Sequence, residues 1–207
     1  MEKEETLCLD KLENSYREVE KQLNLWKDTQ RHSTELIQSL TSPMEQLRSC
    51  AKTSFERSPL CDFEGLREKL QHKLLKRIEG IMGKIQDDMN IFKGVSHKIA
   101  TLCGSSLEVY EAHSSYLPMS VVCEGTCTRP SIADLLEGLC DLNRIHYELY
   151  QDKVDILGRI TYTAPMTNVY KAIREWTSIQ DRNAYKIRDI MEPVAVFLAS
   201  RGGEQNV

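Results

Sequence analysis

The sequence predicts an all-α fold, an elongated antiparallel helical bundle with long coiled-coil-like helices. Three observations carry this. Two long segments place apolar side chains at alternating spacings of three and four residues, the seam of a helix that buries one stripe. Only ten glycines and six prolines occur in 207 residues, too few for the turn-rich chains of sandwiches and barrels. Hydrophobic residues make up 41% and charged residues 28%, the balance of an ordered chain with much exposed helix surface.

The first helix follows from Leu9, Leu12, Tyr16, Val19, Leu23, Trp26, Gln30, Ser33, Ile37 and Leu40, a heptad stripe whose apolar character is interrupted only at Gln30 and Ser33. Neither proline nor glycine breaks it. A second helix is expected behind Ser42, Pro43 and Glu45, which spell a cap, a first-turn proline and a capping-box acid. Its apolar positions are Met44, Leu47, Ala51 and Phe55, and Ser58-Pro59 ends it.

The third helix is expected from about Asp62. Leu66, Leu70, Leu74, Ile78, Ile81, Ile85, Met89, Phe92, Val95, Ile99, Leu102, Val109 and His113 keep helical spacing. Gly80, Gly83, Gly94 and Gly104 each cost about 1 kcal/mol relative to Ala, so a kink or break is expected near one of them. The pattern dissolves into a loop over 114–131. Ser131 and Asp134, behind Pro130, then form a capping pattern before a second heptad stripe: Leu135, Leu139, Leu142, His146, Leu149, Lys153, Ile156 and Ile160. A short amphipathic helix follows through Val169, Ile173, Trp176 and Ile179. A last one spans 185–200, kinked or restarted by Pro193.

The expected organisation is a long-helix, coiled-coil region over 1–113, a loop over 114–130, a helical region over 131–200 and a tail over 201–207, together one structural unit. A compact chain of this size is about 40–45 Å across. The first helix alone should measure about 48 Å and an unbroken third about 75 Å, hence the elongated form.

Charge and composition narrow the function. A net charge of −4 excludes a strongly basic module held on nucleic acid by overall charge, though not a local basic face. The acidic start "MEKEETLC" lacks the basic and apolar regions of a signal peptide, and the longest apolar run, "VAVFLA", is far below the ~20 residues of a spanning helix. The expectation is an intracellular chain outside the membrane, with its seven scattered cysteines as free thiols.

Residues 123–146 spell C-x3-C-x12-C-x5-H through Cys123, Cys127, Cys140 and His146, the spacing of a zinc finger. The finger's core positions hold Ser131 and Glu137, however, and continuous helix would set Cys140 and His146 about 240° apart around the axis. The spacing therefore reads as coincidence, with His146 as a polar seam residue that fixes register. A site that Cys123 and Cys127 would share with a partner chain stays open.

Catalytic and nucleotide motifs are absent: there is no G-x-S-x-G, no G-x-G-x-x-G and no Walker loop. Asp87 and Asp88 read as a solvated pair on the polar side of the third helix. No metal, cofactor or enzymatic activity of its own is expected. Binding remains. Between Gly65 and Ile85, six basic side chains stand against Glu68 and Glu79. Lys69, Lys73, Lys76 and Arg77 share a face, a candidate docking strip for RNA or an acidic protein surface, without interleaved aromatics. Candidate partner-binding residues on the seams are Leu12, Tyr16, Val19, Leu23, Trp26, Leu135, Leu139, Leu142, His146, Leu149 and Trp176; core packing is the alternative for the two tryptophans.

The stretches "VEKQLNLW", "FEGLREKL", "YEAHSSYL" and above all "RPSIADLLEGLCDLNRIHYELYQDK", in this order across about 12–198, resemble the AIRIM family, small helical ribosome-maturation factors that associate with an AAA-type ATPase. The resemblance implies a non-catalytic adaptor. With a second small helical subunit that binds cyclin-dependent kinase, it would assemble onto an ATPase hexamer. That complex would release a shuttling assembly factor from cytoplasmic pre-60S particles and act in chromatin and replisome protein turnover. It thereby implies a cytoplasmic and nuclear location. The residues alone leave two alternatives, a zinc-stabilised nucleic-acid-binding helical protein and a self-associating coiled-coil tether.

Overall fold

The computed structural model describes residues 2–53, 63–126 and 129–203. The expected ends of the second helix (Phe55, Ser58-Pro59), the start of the third (Asp62) and Cys127 lie outside the described residues. The fold is all-α, with no strand among the described residues. Its helices are α1 (Glu2–Ser39), α2 (Thr41–Lys52), α3 (Leu66–His113), α4 (Met119–Cys123), α5 (Ile132–Gly158), α6 (Met166–Ser178) and α7 (Ala184–Gly203). Single 3-10 turns occupy Ser114–Tyr116 and Ile179–Asp181.

α1 has 38 residues and begins seven positions before the first heptad residue. A lone non-helical position, Leu40, separates it from α2. Leu40 caps α2 with no side-chain hydrogen bond, which corrects the expected cap at Ser42. Ser42 lies inside the first turn, where its Oγ accepts a 3.0 Å bond from Gln46 Nε2. Pro43 falls among the first residues of α2, whose N–H groups have no partner within the helix, so its missing donor costs nothing. Thr53 ends α2, with its N–H and its hydroxyl both donating to the Ser49 carbonyl.

α3 runs 48 residues without a break, which corrects the expected interruption. Gly80, Gly83, Gly94 and Gly104 are all exposed, and a Cβ at any of them would meet nothing within 4 Å. Their cost is the propensity difference of about 1 kcal/mol each, which the buried Leu74, Ile78, Ile85, Met89, Phe92, Val95 and Ile99 outweigh by tertiary packing. Gly65, at φ 67°, takes the left-handed backbone that precedes the helix.

α5 opens as its sequence predicts. The Asp134 N–H donates to Ser131 Oγ at 3.0 Å, and the Ser131 N–H donates back to Asp134 Oδ2 at 3.1 Å, a reciprocal capping box. α7 continues through Pro193 and past Ser200 to Gly203. Residues 204–207 lie outside the described set. Pro193 faces solvent and neither ends nor restarts the helix.

The chain divides into two compact units. Unit 1 takes Met1–Lys27, Phe92–Gln151 and Gln180–Val207. There Ser15 meets Ser106 and Trp26 meets Phe92, so α1 and α3 run in opposite directions. Tyr16 reaches Leu135 while Trp26 meets His146, so α5 runs with α1. Arg201 of α7 pairs with Asp10 and Glu13, and Arg17 with the Leu198 carbonyl, which sets α7 antiparallel to α1. Unit 2 takes Asp28–Ile91 and Asp152–Ile179. Its core holds Ile37, Leu40, Met44, Leu74, Ile78, Ile85, Ile156, Val169, Ala172 and Trp176.

Candidate functional site

The two polar interruptions of the first heptad stripe have partners. Gln30 and Ser33 are buried in unit 2, and so is Lys153, at 0% exposure on the seam of α5. Lys153 Nζ donates to Gln30 Oε1 and sits 4.0 Å from the centre of the Trp176 ring. Gln30 Nε2 donates to the Trp176 carbonyl and to Thr34 Oγ1, each at 3.1 Å. Trp176 Nε1–H donates to Ser33 Oγ at 3.3 Å, and Ser33 Oγ donates to the Gln30 carbonyl at 3.1 Å. A buried polar group costs stability unless it is hydrogen-bonded, and this network satisfies the indole N–H, both ends of the glutamine amide and the ammonium together.

Burial holds the Lys153 ammonium down to a pKa of about 7, against the opposing pull of Asp88. Asp88 is itself buried, which corrects its reading as one half of a solvated pair; Asp87 alone is exposed. The Asp88 carboxylate accepts from His32 Nδ1 at 2.8 and 3.1 Å. Burial raises its pKa, with His32 and Lys153 pulling the other way.

Unit 1 holds the remaining seam residues. Leu12, Tyr16, Val19, Trp26, Leu135, Leu139, Leu142, His146 and Leu149 are buried by the chain's own helices, as Trp176 is in unit 2; Leu23 is half-buried. The Tyr16 hydroxyl donates to the Leu135 carbonyl at 2.6 Å, and its burial raises its pKa. Gly138 makes this approach possible. A Cβ there would lie 2.8 Å from the Tyr16 hydroxyl and 3.0 Å from Ile190 Cγ2.

Trp26 packs edge-on against Phe92 (4.6 Å between centroids) and His146 (5.0 Å). His146 Nδ1–H donates to the Leu142 carbonyl at 2.8 Å, and burial lowers its pKa, so the imidazole is neutral near pH 7. Cys140 Sγ lies 3.3 Å from Cys103 Sγ, and burial raises the Cys103 thiol to about 12. The structure thus turns Cys140 toward Cys103 and engages His146 with Trp26 and its own helix. Cys123 is exposed at the end of α4, and no group of three or more potential metal ligands occurs among the described residues.

On the outside of unit 2, Lys69, Lys73, Lys76 and Arg77 are all exposed along α3, joined by Lys84. Arg67, two residues ahead, leaves the strip: its guanidinium donates to the Ala51 carbonyl at 2.6 Å and ties α3 to the end of α2. No helix of the described residues is long and apolar enough to cross a membrane.

Comparison with known proteins adds an independent line. Residues 6–196 match the family described as ribosome biogenesis protein C1orf109-like. A mouse (Mus musculus) protein named AFG2-interacting ribosome maturation factor is 27% identical over 187 residues, 89% of this chain and 86% of that protein. The human (Homo sapiens) protein of the same name is 27% identical over 189 residues, covering 90% and 93%. The zebrafish (Danio rerio) one is 26% identical over 165 residues, covering 79% and 81%.

Proposed function

Because the chain belongs to the C1orf109-like family of ribosome biogenesis proteins, we propose that it is a ribosome maturation factor acting as an adaptor for an AAA-type ATPase of the AFG2 kind. The observation that carries this reading is the shared name of the mouse, human and zebrafish relatives, each aligned over most of this chain. The chain supplies binding surface, and the ATP chemistry belongs to its partner. A second small helical subunit completes the assembly on the ATPase hexamer. The remodelled client is a cytoplasmic pre-60S particle, from which a shuttling assembly factor is released, and the same machine serves chromatin and replisome protein turnover in the nucleus.

The physical organisation suits such a role. Within each unit the long helices bury their apolar seams, and what is left to offer a partner is the outer face. With Leu12, Tyr16, Val19, Trp26, His146 and Trp176 enclosed by the chain itself, contact with the ATPase and the second subunit falls to exposed residues flanking the seams. Mixing the purified chain with the ATPase tests the reading: co-elution supports it, and failure to associate at micromolar concentrations overturns it.

A further inference from the structure

We propose that the outward face of α3 between Lys69 and Lys84 binds the phosphodiester backbone of RNA. At 100° per residue, Lys69, Lys73, Lys76, Arg77 and Lys84 fall within about 100° of the helix circumference, and they extend over about 22 Å of its length. Leu74, Ile78 and Ile85 occupy the opposite, buried side, so the five cations project from the face that the rest of unit 2 leaves open. Glu68 and Glu79 lie outside this arc, and Asp87 marks its end. Among the described residues, no ion pair engages Lys73, Lys76, Arg77 or Lys84. In a chain of net charge −4, five positive charges in one line are a local feature set against the overall balance.

The pattern distinguishes a polyanionic strand from an acidic protein partner. Protein interfaces centre on aromatic or aliphatic anchors and are depleted in lysine. Between Lys69 and Lys84 the arc carries no Phe, Tyr or Trp and no aliphatic side chain, exposed Leu70 lying at its border, and its cations are mostly lysines. A phosphate backbone needs no anchor, only positive charge repeated along a line. Gly80 interrupts the strip, Gly83 borders it, and a Cβ on either would enter open space. Neither is required by packing, and both keep the helix surface low where a strand lies across it. With no aromatic to stack on, the contact reads charge and not base sequence. The proposal does not draw on ATPase association, so loss of the RNA contact would leave the adaptor reading standing.

The test measures binding of the full chain to a fluorescein-labelled 20-nucleotide single-stranded RNA by anisotropy, across a salt series, with poly-glutamate as competitor. Five engaged cations give a log–log salt slope of about −3.5. The variant Lys73→Ala/Lys76→Ala/Arg77→Ala retains two of the five, so its slope should shrink to about −1.4 with affinity weaker by about tenfold or more. All three positions are exposed and Ala favours helix, so circular dichroism should show full helicity. A second variant, Lys73→Glu/Lys76→Glu, should bind more weakly still. The proposal is overturned if folded variants bind RNA as tightly as the parent. It is equally overturned if poly-glutamate displaces the RNA at charge equivalence, the mark of a surface for acidic proteins.

Discussion

Replacing Lys153 by Met isolates the most unusual group in the molecule. The ammonium is fully buried over the Trp176 ring, and its pKa falls from the usual 10.5 to about 7. The unfolded chain therefore binds this proton more tightly than the folded one. Between those two values the unfolded state carries more protons, so stability must rise with pH, by about 1.4 kcal/mol per pH unit. From pH 7.5 to 9 that sums to about 2 kcal/mol.

The other shifted groups act outside this window or alike in parent and variant. His146, lowered from 6.5, adds its own rise only in more acid solution. Cys103, raised from 9.0 to about 12, and Cys8, also raised from 9.0, make stability fall as pH approaches and passes 9, where the unfolded thiols ionise first, and they do so alike in both proteins. Asp88, raised from 3.8, acts in acid. Urea unfolding followed by far-UV circular dichroism at pH 7.5, 8.25 and 9 reads the slope directly. Lys153→Met keeps the aliphatic stem and the contact with the indole while abolishing the titration. It leaves Gln30 Oε1 without this donor, at about 1–3 kcal/mol, a cost that does not vary with pH. Relative to the variant, the parent should therefore gain about 2 kcal/mol across the window. Equal slopes in the two proteins would refute the assignment of the rise to Lys153.

Two further perturbations follow from the geometry. Gly138→Ala places a methyl 2.8 Å from the Tyr16 hydroxyl and should destabilise by about 1–3 kcal/mol in urea unfolding; Tyr16→Phe added to it should recover part of the loss, because the clash is with that oxygen. Gly94→Ala and Gly104→Ala put a methyl into open space on α3, and each should stabilise by up to about 1 kcal/mol, read as a shift in Tm.

Much of the fold was legible because helical burial repeats every turn. All but one of the first stripe's positions are buried, and the capping box at Ser131 and Asp134 formed as written. The less legible features depend on partners distant in sequence. Gln30 and Ser33 look like defects in a seam until Trp176 and Lys153, more than 120 positions away, are brought beside them. Asp88 sits one residue from an exposed twin, and its burial, beside His32 and within reach of Lys153, separates their fates. The continuity of α3 was missed because propensity counts each glycine's cost locally, whereas the offsetting packing lies on the far side of the helix. Of the candidate surfaces, the basic strip was the more readable, since exposed charge on a helix needs no tertiary partner to place it. The seam residues were recognisable as apolar, but whether this chain or another covers them is decided by chain topology.

A binding subunit of this kind draws its energy from another protein. Size-exclusion chromatography with light scattering, run on the chain, on an AFG2-type AAA ATPase and on their mixture, with ATP turnover measured in every fraction, tests this most directly. The expected result is one co-eluting complex, turnover in the fractions holding the ATPase, and none in the chain alone. Separate elution of the two proteins at micromolar concentrations, or turnover by the isolated chain, would contradict it.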